Sequence, residues 1–142
     1  MTDIRYAESA DRALWLEMDE HLSPREFERK ARDGMCCMLL EDGLAAGVLR
    51  YGLFWDSIPF LNLLFVRETH QRRGYGTALM RFWEEDMTRR GYGMVMTSTQ
   101  VDESAQHFYR KLGYRDAGGL LLDIPGYEQP MELFMTKALA RK

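Results

Sequence analysis

The sequence predicts a single α/β domain, and three features predict it. Two strand-like apolar runs, residues 35–41 and 44–51, flank Asp42-Gly43, a strong two-residue hairpin signal. A third apolar run, residues 60–66, passes through a turn holding Gly74 and Gly76 into an amphipathic stretch, with Leu79, Trp83 and Met87 at helical spacing. A further strand-like run at residues 94–99 completes a β-α-β crossover, which should be right-handed and set its strands side by side or nearly so.

The remaining elements fit around that frame. Residues 4–6 read as a short first strand. Ser9 is a good N-cap for a helix presenting Leu14, Trp15 and Met18. Ser23-Pro24 opens a second helix, with Pro at its first position and Glu26 three residues after Ser23 as in a capping box; it should end near Gly34. Phe54, Trp55 and Pro59 fall in the next connection, and the mostly apolar run 60–66 suits a strand buried on both faces. Arg89-Arg90-Gly91 closes the long helix with cations and a C′ glycine. Residues 104–112 form a short helix stopped by Gly113. Residues 114–122 form a strand loosened by Gly118-Gly119, residues 123–130 a loop, and residues 133–138 the last strand.

Composition removes several classes. The chain has 142 residues, 19 Lys+Arg against 22 Asp+Glu, and a net charge of −3. That length suits one domain with a real core, and the near-neutral balance gives no reason to expect general nucleic-acid binding. No apolar stretch is long enough to span a bilayer, and no apolar segment follows the first residues as in a signal peptide. Cys36 and Cys37, the only cysteines, are adjacent, so a disulfide framework and a zinc site are both excluded and a reducing, cytoplasmic setting is expected. They sit mid-strand facing opposite ways, so at least one should be buried and inert. The ten methionines read as core filler.

The most informative segment is the glycine turn. A strand running into glycines that open a helix presents unpaired N–H groups at the positive end of a dipole, which makes a phosphate cradle. Arg72 and Arg73 add charge beside Gly74 and Gly76. A Walker loop would need Lys before Thr77, and a dinucleotide fingerprint a small residue where Leu79 stands. What remains is Gln-x-x-Gly-x-Gly, Gln71 to Gly76.

With that pattern the chain resembles the GCN5-related N-acetyltransferase (GNAT) superfamily. A second segment, Ala105-Gln106-His107-Phe108-Tyr109-Arg110-Lys111-Leu112-Gly113-Tyr114, is similar to that family's A-x-x-F-Y-x-K-x-G-F/Y stretch. The resemblance implies a mixed, mostly antiparallel twisted sheet of about six to seven strands with a central splayed parallel pair and about four helices. It also implies acetyl-CoA as co-substrate and no metal. Backbone groups of Phe65 and Val66 would pair with the pantetheine arm. Gln71, Arg72, Arg73, Gly74, Tyr75, Gly76 and Thr77 would hold the pyrophosphate, and Asp102, Ala105 and Phe108 would border the cofactor. Asp102 stands where many members carry Asn, so that contact would have a different polarity. Tyr109 matches the family's general acid, and by the same resemblance the Val66 N–H would be the oxyanion donor.

Acetyl transfer also needs an amine freed of its proton, since a lysine-type amine has a pKa of about 10.4. No base is readable. Asn62 and Thr97 stand where other members carry carboxylates, and neither can abstract a proton. Glu17, Glu20, Trp55, Tyr127 and Glu128 are further candidates for the acceptor groove, beside Asn62 and Thr97. Residues 11–28 carry six acids (Asp11, Glu17, Asp19, Glu20, Glu26, Glu28) against Arg12 and Arg25, a balance that would attract a cationic amine, small molecule or peptide. Arg67, Arg72, Arg73 and Arg81 face only Glu68 over residues 67–81. The competing expectation is an acyl-CoA sensor without turnover. A homodimer is compatible with the family; nucleic acid and membrane are not expected as partners.

Overall fold

The computed structural model describes residues 1–140. In chain order the elements are β1 (Thr2–Tyr6), α1 (Arg12–Met18), α2 (Pro24–Arg32), β2 (Cys36–Glu41), β3 (Leu44–Phe54), β4 (Ile58–Val66), α3 (Tyr75–Arg89), β5 (Met94–Gln100), α4 (Ala105–Lys111), β6 (Arg115–Leu120) and β7 (Glu132–Ala138). The strands form one seven-stranded sheet in the order β1-β2-β3-β4-β5-β7-β6. β4 and β5 pair in parallel, through Phe60↔Met96 and Leu61↔Thr97. The pairs β1–β2, β2–β3, β5–β7 and β6–β7 are antiparallel. The mixed, mostly antiparallel sheet with four helices agrees with the expected fold class.

The chain forms two compact units: residues 1–52 with 62–86, and residues 53–61 with those from 87 onward. In the first unit, Trp15, Met18 and Phe27 from α1 and α2 are buried with Cys36, Met38, Ala45 and Val48 of β2 and β3. Their rings meet at 5.5 Å between Trp15 and Phe27. Leu79, Met80 and Trp83 of α3 are fully buried, and Trp83 lies 5.6 Å from Tyr51. In the second unit Phe54, Phe60 and Phe134 form an aromatic cluster, and Val95, Tyr109, Tyr114 and Met135 are buried.

Four local expectations change. Ser9 is not an N-cap. It lies in a short helical turn, Ser9–Asp11, where Asp11 accepts the Glu8 N–H at 2.8 Å, and its own hydroxyl donates to Glu28. Ser23 does cap α2, accepting the Glu26 N–H at 3.2 Å, but the Glu26 carboxylate pairs with Arg29, so only half of the expected box forms. β3 and β4 are joined by residues 55–57 alone, where the Ser57 N–H donates to the Phe54 carbonyl at 3.1 Å around Trp55 and Asp56 at φ 53° and 59°, so Phe54 and Pro59 belong to strands rather than to a loop. Left-handed φ at both central residues marks a primed hairpin turn, which Asn-Gly usually signals and Trp-Asp does not. Finally, β4 is not buried on both faces: Pro59 and Leu61 are buried, whereas Asn62 and Phe65 are exposed. The parallel register with β5 ends at Leu61, and residues 62–66 continue the strand beyond it.

Candidate active site

In the first unit, β4 delivers the chain into the glycine turn. Arg72 (φ 67°) and Gly74 (φ 78°) are both left-handed, so the backbone curls and its N–H groups can converge on one side. A Cβ at Gly74 would meet nothing within 4 Å, so the space over the turn is open. The turn leads into α3, a fifteen-residue helix whose first N–H groups have no partner within the helix. A backbone of this shape is suited to an anion.

Side chains hold the cradle in place more than they line it. The Gln71 amide donates to the Val66 carbonyl at 3.0 Å, tying the turn to the end of β4 rather than reaching outward. Glu41, at the end of β2, gathers three groups: the Tyr75 hydroxyl at 2.6 Å, Arg73 at 3.0 Å and His70 at 3.0 Å. The Tyr75 hydrogen bond, with Arg73 and His70 beside it, holds the Glu41 carboxyl below its ordinary range. Arg67 is anchored on the Ala45 carbonyl at 2.8 Å and on Glu17 at 3.3 Å. Of the four arginines expected around the phosphate site, Arg67 and Arg73 are thus committed to protein partners, and Arg72 and Arg81 are exposed without one among the described residues. Gly47 on β3 is a further structural requirement. A Cβ there would sit 3.0 Å from the Phe65 carbonyl and 3.2 Å from Leu79, so the glycine lets the end of β4 and α3 close in.

In the second unit, α4 carries Tyr109 into the interior, 7% exposed. Its ring packs edge-on against Phe108 at 5.4 Å and Tyr114 at 5.7 Å. Burial pushes the phenol pKa up, against a hydrogen bond with Thr97 that lowers it. Tyr109 therefore stays protonated through neutral pH. Thr97 donates in turn to the Leu61 carbonyl at 3.3 Å, long for a hydroxyl donor. Thr97 is 1% exposed. Expected at the acceptor groove, it is buried and hydrogen-bonded with Tyr109. Ala105 and Phe108 are half-buried and Asp102 is exposed. Gln106, which sequence spacing did not single out, spans the loop before α4 by donating to the carbonyls of Val101 and Glu103.

The remaining acceptor candidates are mostly exposed. Trp55 is 78% exposed at the hairpin tip, its ring tilted against that of Phe54 at 4.8 Å. Tyr127 is 70% exposed, and the neighbouring Glu128 carboxylate accepts the Gly126 N–H, which closes its own loop. The acidic segment 11–28 is largely neutralised. Asp11 pairs with Arg5, Glu17 with Arg67, Asp19 with Arg50, Glu26 with Arg29 and Glu28 with Arg12. Only Glu20 of the six is left without an ion partner among the described residues. The Asp19–Arg50 pair is buried, with Trp15 Nε1 also donating to Asp19 at 3.1 Å, so it fixes the end of α1 to β3. Ion pairing, partly with distant Arg50 and Arg67, therefore reduces the negative charge this segment offers to a cationic acceptor. Cys36 and Cys37 are both buried, and burial pushes the Cys36 thiol up to about 12, which makes it inert. A surface cavity of about 360 Å³ lined by Ala7, Glu8, Ser9, Glu28, Ala31 and Arg32 includes none of the expected cofactor residues. No cluster of metal-ligating side chains occurs among the described residues.

Comparison with known proteins now bears on these features. The family model for the acetyltransferase (GNAT) family matches residues 4–114. The fold is similar to the ribosomal-protein-S18-alanine N-acetyltransferase of Escherichia coli, at TM-score 0.84 and 19% identity over 100% of this chain and 96% of that one. A GNAT-family acetyltransferase of Bacillus cereus gives 0.78 and 23% over 99% of each chain. The N-acetylglutamate synthase of Neisseria gonorrhoeae, solved with coenzyme A and N-acetyl-glutamate, gives 0.82 and 16% over 99% of this chain and 36% of that one. No curated protein matches the sequence significantly.

Proposed function

Because the chain belongs to the acetyltransferase (GNAT) family, we propose that it moves the acetyl group of acetyl-CoA to a primary amine. The observation that carries this reading is the open, left-handed turn at Arg72 and Gly74 feeding the start of α3, a backbone cradle suited to a pyrophosphate. Gly74, Tyr75, Gly76 and Thr77 offer N–H groups to the phosphates, Arg72 supplies mobile charge, and Gln71, Tyr75 and Arg73 keep the turn in shape. Phe65 and Val66 offer backbone groups to the pantetheine arm, and Asp102, Ala105 and Phe108 border the co-substrate.

In the reaction, the neutral amine attacks the thioester carbonyl and a C–N bond forms as the C–S bond breaks. The Val66 N–H meets the developing oxyanion. Tyr109, protonated because it is buried, passes its proton to the leaving thiolate. The proton lost by the amine goes to water, since Asn62 and Thr97 cannot accept it. We place the reaction in the cytoplasm, where acetyl-CoA and reduced cysteines are found, with no metal required.

Calorimetric titration with acetyl-CoA, followed by coenzyme A release with a panel of amines, tests the proposal; no acetyl-CoA binding would sink it. The lack of a carboxylate at positions 62 and 97 favours a second reading, an acyl-CoA-binding module, and tight binding with no release for any amine would select it.

A further inference from the structure

We propose that the amine acceptor carries a carboxylate, received at Gly52 by the Lys30 ammonium and the Asn62 side-chain amide. The inference rests on the acetyltransferase reading and names its substrate class. It starts from a cation without a counter-ion. Lys30 lies on α2, half-buried, and its Nζ touches only the Tyr51 carbonyl, at 3.3 Å. No carboxylate pairs with it among the described residues. The acids nearest in sequence are spent elsewhere, Glu26 on Arg29 and Glu28 on Arg12, and Asp19 is held by Arg50. Cys36, whose thiol feels the Lys30 charge, cannot neutralise it, because burial keeps that thiol protonated up to about 12.

The second half of the site is Asn62, exposed on β4. A Cβ added at Gly52 would lie 3.2 Å from Asn62 Nδ2 and 3.3 Å from Lys30 Nζ. Two donor nitrogens therefore converge on one point of backbone that bears no side chain. An ammonium has three donors and uses one here, on a long bond. A carboxylate can accept from both nitrogens, and charge-assisted bonds of that kind are about twice as strong as neutral ones. A purely cationic amine would meet repulsion from Lys30 at the same place.

The test compares coenzyme A release for paired acceptors: free amino acids and dipeptides against the same compounds with the carboxylate amidated or removed. The carboxylate compounds should have kcat/KM higher by about ten-fold or more, because a site built around hydrogen-bond donors rejects an analogue that leaves them unpaired. Lys30→Met should collapse that ratio, Lys30→Arg should keep most of it, and Asn62→Ala, at an exposed position, should lower it. Retained acetyl-CoA affinity by calorimetry certifies each variant as folded. An undiminished ratio in Lys30→Met, or a wild-type preference for the amidated series, overturns the proposal while leaving acetyl transfer standing. Acetyl-CoA binding with no turnover of either series overturns both.

Discussion

Tyr109→Phe separates structure from chemistry at the proposed acid, because the two costs differ in size. The substitution keeps the ring against Phe108 and Tyr114 and removes only the hydroxyl. Thr97 retains its bond to the Leu61 carbonyl, so what is lost inside the protein is one neutral hydrogen bond. That is worth about 1 kcal/mol of stability. If the phenol protonates the leaving thiolate, turnover should fall by roughly a hundred- to ten-thousand-fold, which is about 3 to 5 kcal/mol of barrier. Acetyl-CoA affinity should be nearly intact, since the cradle belongs to the other compact unit. Coenzyme A release by a thiol reagent gives kcat, calorimetry gives affinity, and a thermal melt gives stability. The pH profile adds an independent check: a phenol raised by burial stays protonated above its ordinary value of 10.0, so no loss of acid catalysis should set in below that pH. Unchanged kcat with a normal melt would refute the role, and a fall in kcat matched by lost affinity would refute the argument that the hydroxyl acts on chemistry alone.

Three further outcomes are expected. Gly76→Asp places a carboxylate at the start of α3, where a phosphate would lie, and should abolish acetyl-CoA binding in calorimetry while the melt shifts little. Gly47→Ala forces a Cβ to 3.0 Å from the Phe65 carbonyl; urea unfolding should report a loss of about 1–3 kcal/mol, together with weaker acetyl-CoA binding. Acid should unfold the protein through its paired carboxyls. Asp11 is lowered by Arg5, Glu41 by Tyr75 and Asp116 by Arg110, from ordinary values of 3.8, 4.5 and 3.8. Below about pH 4.5 the unfolded chain takes up protons before the folded one, so the stability these groups confer is present above that pH and lost as pH falls through the folded values. Urea midpoints that stay flat from pH 7 to 3 would mean the pairs do not persist in solution.

The elements legible in the sequence were those with strong local signals. Asp42-Gly43 marked its hairpin, with Asp42 at φ 51° and Gly43 at φ 84°. The spacing of Leu79, Trp83 and Met87 marked the buried face of α3. The Trp55-Asp56 turn was illegible because neither residue favours a left-handed backbone; the strands on either side enforce it. The same division holds at the site. The glycines pointed to the cradle because their backbone freedom is a local property. Glu41 gave no sign of joining it, since it reaches Arg73 and Tyr75 from 32 and 34 residues away. Asn62 was named from the sequence, but Lys30 was hidden: its approach to Asn62 depends on a position on a third element, Gly52, that bears no side chain.

Charge shows most plainly why local counting misleads. Along the chain, residues 11–28 look like an acidic mouth and residues 67–81 like a basic one. Folding spends one against the other, as Glu17 on Arg67 shows, and spends the remaining acids except Glu20 on Arg5, Arg12, Arg29 and Arg50. The field a ligand meets is set by what is left over. At the glycine turn that is Arg72, and at Gly52 it is Lys30, both cations of the same compact unit. A diphosphate suits the first. The second is better matched by an anionic group on the acceptor than by a second positive charge, because attraction and charge-assisted hydrogen bonds to a carboxylate offset the desolvation of a half-buried ammonium.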